Sequence, residues 1–164
     1  MENKKTTTPL RIVGGQLLEA RRAALDAQGP HRMEPVRTID EVGYINDSKS
    51  TFLDATLESL ASIEQRVVWI VGAWSDDMGE GHVQEILKER VSAIVLFGPG
   101  MDPGSDGLPE HIFRAEELRT AVFVARELAK AGDVVLFSPA CPSGNGFANY
   151  EERGAEFKRA VRDL

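Results

Sequence analysis

The stretch Val134–Gly154 reads VVLFSPACPSGNGFANYEERG and places a run of loop residues between an apolar strand and a charged helix. Four consecutive apolar residues, Val134 to Phe137, predict a buried strand. Asn149 followed by Glu152 is typical of a helix capping box, so we expect a helix to begin there. In open parallel sheets, ligands bind beyond the carboxyl ends of the strands. The loop between strand and helix is therefore a candidate binding site.

The same alternation of strands and helices extends through the chain. The predicted strands lie at 67–71, 93–97 and 134–137, and the predicted helices at 81–90, 116–131 and 150–163. Such alternation predicts right-handed crossovers and a mostly parallel sheet with helices on both faces. Two short runs, 33–38 and 43–46, predict an antiparallel hairpin at one edge of that sheet. The expected fold class is α/β, a Rossmann-like three-layer sandwich.

The domain organisation expected from the sequence is simple. Residues 1–15 are predicted to be a polar tail or linker, and residues 16–164 to form one domain. Within that domain, 16–28 predicts a short amphipathic helix, and 51–62 predicts another in which Thr51 and Asp54 are available as caps. The loop 98–109, rich in Gly, Pro and Asp, is expected to be a surface connection.

Composition excludes several classes of protein. The net charge of −7 argues against a nucleic-acid partner. The apolar runs are too short for a membrane span and the polar start lacks a signal-peptide core, which predicts a cytoplasmic protein without a membrane partner. Cys141 is the only cysteine, so an internal disulfide and a cysteine-built zinc site are excluded. The histidines also lack ligand-like spacing, and no metal site is expected.

A second candidate site is Asn46-Asp47-Ser48-Lys49, between the predicted hairpin and the next helix. Backbone N–H groups near a helix start attract anions, and Lys49 adds a full positive charge. Asp47 is suited to accepting hydrogen bonds from a ribose. On spacing alone, the simpler interpretation is favoured, in which Asp47, Ser48 and Thr51 only cap the turn.

The other polar residues give weaker signals. His31-Arg32 is typical of an ordinary loop, although a planar guanidinium can hold a nucleotide. Ser138 and Ser143 could hydrogen-bond a carboxylate or a phosphate. Cys141 has no histidine partner in a recognisable motif, so a packing role is favoured over a nucleophilic one.

Taken together, these segments resemble a known family. His31-Arg32, the run NDSKST at 46–51 and the run from SPACPS to NYEERG at 138–154 have the order and spacing of the C-terminal domain of the Mur ligases. They are most similar to the D-glutamate-adding ligases of that family. The resemblance extends from about Gln16 to Leu164.

The resemblance implies an activity and a set of roles. Mur ligases use ATP to activate the carboxylate of a UDP-muramoyl precursor as an acyl phosphate, which the amine of an amino acid then displaces. The implied function is therefore part of an ADP-forming ligase of peptidoglycan synthesis, with ATP and D-glutamate as ligands. The implied roles are nucleotide binding for Arg32 and Asp47, with Asp47 on the ribose; catalysis near the phosphate and acceptor for Lys49 and Thr51; and D-glutamate binding for Ser143 and Tyr150.

One departure from the family concerns the ATPase. The sequence contains no Gly-Lys dipeptide and therefore no Walker A loop. The N-terminal and central ligase domains, which carry the phosphate-binding loop and the magnesium, are expected to act in cis or in trans. The chain alone is expected to be inactive and monomeric.

A second departure concerns the acceptor. The family usually places a lysine after the strand at 67–71, where it pairs with the side-chain carboxylate of the acceptor. Here residues 72–77 read GAWSDD, and Asp76 occupies that position if the alignment has no gap. Two carboxylates about 4 Å apart repel by roughly 4 kcal/mol at an effective dielectric constant near 20. Alternatively, residues 74–77 form a surface turn in which the charge is neutral for folding.

Two functions remain open at this point. The first is the acceptor-binding and nucleotide-closing domain of a D-glutamate ligase. The second is a non-catalytic binding or interaction protein derived from that domain, with a decayed acceptor site.

Overall fold

The computed structural model describes residues 29–98, 111–144 and 146–164 of the chain. The strands within these ranges are β1 Glu34–Ile39, β2 Val42–Asn46, β3 Val67–Val71, β4 Val91–Phe97, β5 Ile112–Ala115 and β6 Val134–Phe137. The α-helices are α1 Leu53–Ala61, α2 Gly81–Arg90, α3 Leu118–Leu128 and α4 Tyr150–Arg162, and a 3₁₀ turn spans Asp76–Gly79. The predicted tail at 1–15, the predicted helix at 16–28 and most of the predicted loop at 98–109 lie outside the described residues.

The strands form one six-stranded sheet in the order β1-β2-β6-β3-β4-β5. β1 and β2 pair antiparallel, whereas all other neighbouring strands are parallel. The hairpin between β1 and β2 turns at Asp40 and Glu41, whose φ angles of 50° and 63° suit a two-residue type I′ turn. The predicted α/β fold with a mostly parallel sheet and an antiparallel edge is confirmed.

Helices cover both faces of the sheet, because the central strands carry apolar side chains on both sides. α1 and α2 pack on one face, where Leu60, Val83 and Leu87 meet Trp69 and Leu136. α3 and α4 pack on the other, around Phe97, Phe137 and Phe157. All five residues of β3 and all four of β6 are buried. The two central strands are thereby fixed between two apolar layers.

One predicted detail is wrong, and one strand was not predicted. The helix predicted at 51–62 begins at Leu53, and its N-cap residue Phe52 forms no side-chain cap hydrogen bond, so Thr51 and Asp54 do not cap it. Strand β5 was not predicted, because its four residues carry no clear periodicity and only Ala115 is fully buried. The prediction of a capped start at Asn149 is confirmed, since its side chain accepts a hydrogen bond from Glu152 N at 2.8 Å.

The sheet brings three loops together at the edge formed by the carboxyl ends of its central strands. β2, β6 and β3 are neighbours and parallel, so the loops that follow them leave the sheet on the same side. The ladder continues into these loops: Asp47 N donates to Phe137 O at 2.8 Å, and Gly72 N donates to Pro139 O at 2.9 Å. This edge holds the candidate residues predicted from the sequence.

Candidate functional site

Asp47 lies at the centre of this edge. Its side chain is fully buried, and its two oxygens accept five hydrogen bonds. Oδ1 accepts from Met33 N at 3.0 Å and from Arg32 Nη1 at 3.4 Å. Oδ2 accepts from three hydroxyls, at 2.6 Å from Ser50, 2.6 Å from Ser59 and 2.8 Å from Ser138. A carboxylate offers about four lone-pair sites, so the acceptor capacity of Asp47 is fully used within the chain.

The Ser138 hydroxyl extends this network into the core. Because Ser138 uses its single proton on Asp47, it accepts the hydrogen bond from the Thr56 hydroxyl at 2.7 Å. Its backbone oxygen accepts from Trp69 Nε1 at 2.8 Å. Residues from β3, α1 and the loops after β2 and β6 are thus joined through one buried polar cluster.

Arg32 is the part of this cluster that reaches solvent. Its Nη1 contacts Ser50 Oγ as well as Asp47, and its Nη2 lies 3.6 Å from Glu58 Oε2. The residues on either side of it, His31 and Met33, have φ angles of 65° and 46°. Left-handed backbone is unfavourable for such side chains, so the surrounding contacts must hold this segment in place. The Arg32 side chain remains 23% exposed.

The loop after β2 is held by backbone contacts. Lys49 N donates to His31 O at 2.9 Å, while the Lys49 side chain is exposed. Ser48 N donates to Asn46 Oδ1 at 3.3 Å, as in an Asx turn. Thr51 is half-buried and directly precedes the uncapped N-terminus of α1. Lys49 and Thr51 therefore lie on the solvent side of the Asp47 cluster.

His31 packs between this loop and α4. Its ring lies 3.0 Å from Asn46 Nδ2 and makes an edge contact with the Tyr150 ring at 6.0 Å between centroids. Burial, and then the charge of Lys158, lower the pKa of His31, against the opposing effects of Glu34 and Glu151. The imidazole is therefore favoured in its neutral form.

The loop after β6 is held by Arg153 from the first turns of α4. Nη1 donates to Cys141 O and Pro142 O, both at 3.1 Å, and Nη2 donates to Cys141 O at 3.1 Å and to Ser48 O at 3.0 Å. The side chain is 1% exposed, and its Nε has no partner among the described residues. Burial lowers the pKa of Arg153, against the opposing effect of Cys141. Nη1 also lies 3.9 Å from Cys141 Sγ, and none of these acceptors is a carboxylate.

Two glycines allow these segments to approach one another. A Cβ on Gly154 would overlap His31 Nδ1 and Ser48 Oγ and would lie 2.9 Å from His31 Cε1. A Cβ on Gly72 would lie 2.6 Å from Cys141 Sγ. Only glycine permits this packing of α4 and of the β3 exit against the site.

Ser143 and Tyr150 flank the loop after β6. Both are half-buried, and Tyr150 is the first residue of α4. The Tyr150 backbone oxygen accepts from Ser48 Oγ at 2.9 Å, which joins the two loops directly. A hydrogen bond with Glu151 is the main cause that raises the pKa of the Tyr150 phenol. Ser143 makes no side-chain contact with the Asp47 cluster.

The remaining candidates lie around this edge. Asp76 is exposed at the start of the 3₁₀ turn and makes no ion pair within the described ranges. Cys141 is half-buried, and burial raises the pKa of its thiol despite the nearby Arg153. No group of three or more potential metal-ligating side chains occurs in the described part of the chain. None of its helices is long and apolar enough to cross a membrane.

The sequence did not reveal the structural roles of Arg153, Gly154 and Ser59. One signal was available: a cation in the first turns of a helix opposes the helix dipole, so Arg153 stands where arginine is unfavourable without other partners. Ser59 carries no such signal, because its hydroxyl reaches Asp47 only through the fold.

Comparison with known proteins gives a consistent result. The family model described as "Mur ligase, glutamate ligase domain" matches residues 31–141. The chain is 37% identical over 172 aligned positions to the UDP-N-acetylmuramoylalanine--D-glutamate ligase of Desulfosudis oleivorans, covering 100% of this chain and 37% of that protein. It is 41% identical over 137 positions to the ligase of the same name from Citrifermentans bemidjiense, covering 81% of this chain and 30% of that protein.

Solved structures show the same fold. A UDP-N-acetylmuramoyl-L-alanyl-D-glutamate--2,6-diaminopimelate ligase matches with a TM-score of 0.53 at 20% identity, over 90% of this chain and 37% of that one. A bifunctional folylpolyglutamate synthase/dihydrofolate synthase from Yersinia pestis, complexed with AMPPNP and Mn ion, matches with a TM-score of 0.50 at 24% identity, over 89% of this chain and 34% of that one. The chain spans roughly a third of the length of the relatives and structures it matches.

Proposed function

Because the chain belongs to the Mur ligase glutamate ligase domain family, we propose that it is the acceptor-binding and nucleotide-closing domain of an ATP-dependent UDP-N-acetylmuramoyl-L-alanine:D-glutamate ligase. One observation carries the proposal: the loops at 46–51 and 138–143 leave neighbouring parallel strands and are joined through Ser48, Tyr150 and Arg153. Residues predicted for nucleotide binding and for acceptor binding therefore lie on neighbouring loops, which supports the proposal.

The nucleotide half is Arg32 with Asp47. Arg32 is partly exposed and planar, which suits contact with a nucleotide base or ribose. Asp47 holds the guanidinium in place through Oδ1. The predicted ribose contact of Asp47 stays a prediction, and it would require the carboxylate to give up a donor that it now accepts from.

The acceptor half is Ser143 with Tyr150, and Tyr150 bonds the loop that carries Lys49 and Thr51. Hydroxyl and backbone donors at the start of α4 suit a carboxylate, because the positive end of a helix dipole favours anions. The exposed Lys49 and the uncapped first turn of α1 supply further positive potential. ATP would supply the phosphoryl group, while the residues of this chain would bind and orient the ligands. Magnesium and the phosphate-binding loop belong to the domains that the 164 residues do not contain.

A fusion enzyme tests the proposal. The segment of the Desulfosudis oleivorans ligase that aligns with this chain is replaced by this chain, and D-glutamate-dependent phosphate release is measured. The proposal predicts turnover that Lys49→Ala strongly reduces, while the exposed Lys88→Ala on α2 leaves it unchanged. Absence of turnover in a folded fusion would count against it.

Asp76 motivates the second candidate, a non-catalytic binding protein with a decayed acceptor site. Gly72 packs on Pro139 and Cys141, so the segment carrying Asp76 leaves the sheet beside the acceptor loop. We expect Asp76→Lys to lower the KM for D-glutamate of the fusion by at least about tenfold, because it replaces a repulsion by an attraction. Glu85→Lys, at an exposed position on α2, is the control. An unchanged KM would show that Asp76 does not face the acceptor.

A further inference from the structure

Arg153 combines three features that stability alone does not explain. Its guanidinium is almost completely buried, and its Nε has no partner among the described residues. Four of its five hydrogen bonds go to backbone carbonyls, and the fifth goes to Cys141 Sγ at 3.9 Å. No carboxylate within the described ranges forms an ion pair with it. A buried charge without a counter-ion is costly, and the helix dipole adds to the cost because Arg153 lies in the first turns of α4.

The carbonyls that Arg153 holds belong to two different loops of the site. Cys141 O and Pro142 O lie in the loop after β6, and Ser48 O lies in the loop after β2. One rigid, planar group thus fixes the distance between the two loops.

The direction of these carbonyls determines which donors the loop can offer. In a trans peptide, the C=O and the following N–H point in opposite directions, and no cis peptide bond occurs among the described residues. Because Pro142 O points at Arg153, the Ser143 N–H points away from Arg153. That N–H has no hydrogen-bond partner among the residues that the structure describes. It stands beside the Ser143 hydroxyl as a second donor.

We propose that Arg153 is a positioning residue: it turns the Pro142–Ser143 peptide so that Ser143 presents its N–H and hydroxyl to the carboxylate of the acceptor, and it sets this loop in register with Ser48. The identity of the ligand rests on the proposed function, whereas the positioning of the loop does not. An anionic ligand at Ser143 would also supply a negative charge, which Arg153 lacks among the described residues.

Three variants separate the effects. Arg153→Lys keeps the charge, but its donors radiate from a single nitrogen, which cannot occupy the positions of both Nη1 and Nη2. Arg153→Gln keeps a planar donor group without charge. Arg162→Lys, at the exposed end of the same helix, is the matched control, since its Nε bonds only Lys158 O.

The first measurement needs no ligand. Backbone ¹⁵N relaxation of the 164-residue chain reports the order of the Cys141 and Ser143 amides. We expect order parameters near 0.85 in the wild type and below about 0.6 in Arg153→Lys, with no change in Arg162→Lys. Unchanged order at both amides in folded Arg153→Lys and Arg153→Gln would overturn the proposal.

The second measurement uses the fusion enzyme. We expect Arg153→Lys to raise the KM for D-glutamate about tenfold or more and to leave the KM for ATP within about twofold, with a larger effect in Arg153→Gln. Equal changes in both KM values, in proportion to lost thermal stability, would mean a purely structural role. If the wild-type fusion is inactive, the proposed function fails, and the order parameters alone decide the role of Arg153.

Discussion

Asp47 shows how one buried carboxylate organises the ends of three strands. Its five donors come from the segment before β1, the loop after β2, helix α1 and the loop after β6. Hydrogen bonds to a charged acceptor are worth more than neutral ones, and here they meet in a fully buried cluster. Asp47 therefore contributes to the stability of the site as well as to its shape.

Replacing this carboxylate tests its role. Asp47→Asn puts an amide donor where hydroxyl donors now converge, so we expect the free energy of unfolding to fall by about 2–4 kcal/mol. Urea denaturation measures this change. Asp54→Asn, at an exposed position on α1, is the control and should change stability by less than about 0.5 kcal/mol. A loss below about 1 kcal/mol for Asp47→Asn would mean that the cluster is not needed for folding.

His31 gives a pH dependence of known sign. Its pKa is lowered in the fold from 6.5, so the neutral ring adds stability that is complete above pH 6.5 and is lost as the pH falls through the lowered pKa. The His31 ring faces five side chains: Asn46, Glu34, Lys158, Glu151 and Tyr150. Glu34 acts at lower pH: burial raises its pKa, but hydrogen bonds from His31 N–H, Asn46 and Lys158 together hold it below 4.5.

Stability between pH 7 and pH 5 should therefore decrease in the wild type and decrease less in His31→Gln. Thermal denaturation at several pH values measures both slopes. The same replacement at His82, an exposed position on α2, is the control for the chemical change itself. Parallel slopes for the wild type and His31→Gln would contradict the neutral, packed imidazole.

At the scale of the elements, Gly154 allows helix α4 to pack closely against the loops of the site. Gly154 places the helix backbone against His31 and Ser48, where a side chain has no room. Alanine favours a helix by about 1 kcal/mol over glycine, so at a spacious position the substitution would stabilise the protein. At Gly154 the crowding makes the substitution destabilising, because interior overpacking costs about 1–3 kcal/mol before any loss of the loop contacts.

We expect Gly154→Ala to lower the free energy of unfolding by about 2 kcal/mol and to weaken ligand binding, since it separates Tyr150 from Ser48. Gly81→Ala on α2 meets no atom within 4 Å of the added Cβ and should be neutral or slightly stabilising. Denaturation of both variants measures the contrast. A stabilised Gly154→Ala protein would show that α4 has room to shift.

Elements differed in how well the sequence predicted them. β3 and β6 were predicted to the residue, because strands buried on both faces are continuous apolar runs bounded by polar residues. β5 was missed because a short edge strand carries neither alternation nor a run. The start of α1 was placed two residues early, because Thr51 looks like a cap although the N-cap residue is Phe52.

At the scale of the whole molecule, alternation of elements predicted a mostly parallel sheet with an antiparallel edge hairpin. The strand order, which was not predicted, determines which loops meet. The Asn46–Thr51 and Ser138–Ser143 loops are about 90 residues apart in sequence, yet β2 and β6 are neighbours in the sheet. Sequence alone did not predict that Arg153 joins them: its place early in a helix indicates that it needs partners, but nothing in the sequence identifies the three backbone carbonyls. The hydrogen bonds around Asp47 were not predicted either, because only the fold brings Ser59 and Ser138 to this carboxylate.

The central claim is that these two loops form one ligand-binding edge, and amide-resolved NMR titration of the 164-residue chain tests it most directly. ADP and D-glutamate are added separately, and millimolar dissociation constants are expected without the other ligase domains. ADP should shift the amide signals near Arg32 and in 46–51. D-glutamate should shift those of Ser143 and Tyr150. Amides near the β1–β2 turn at Asp40, at the opposite end of the sheet, should not move. Saturable shifts at that turn, or none at either loop at tens of millimolar ligand, would contradict the account.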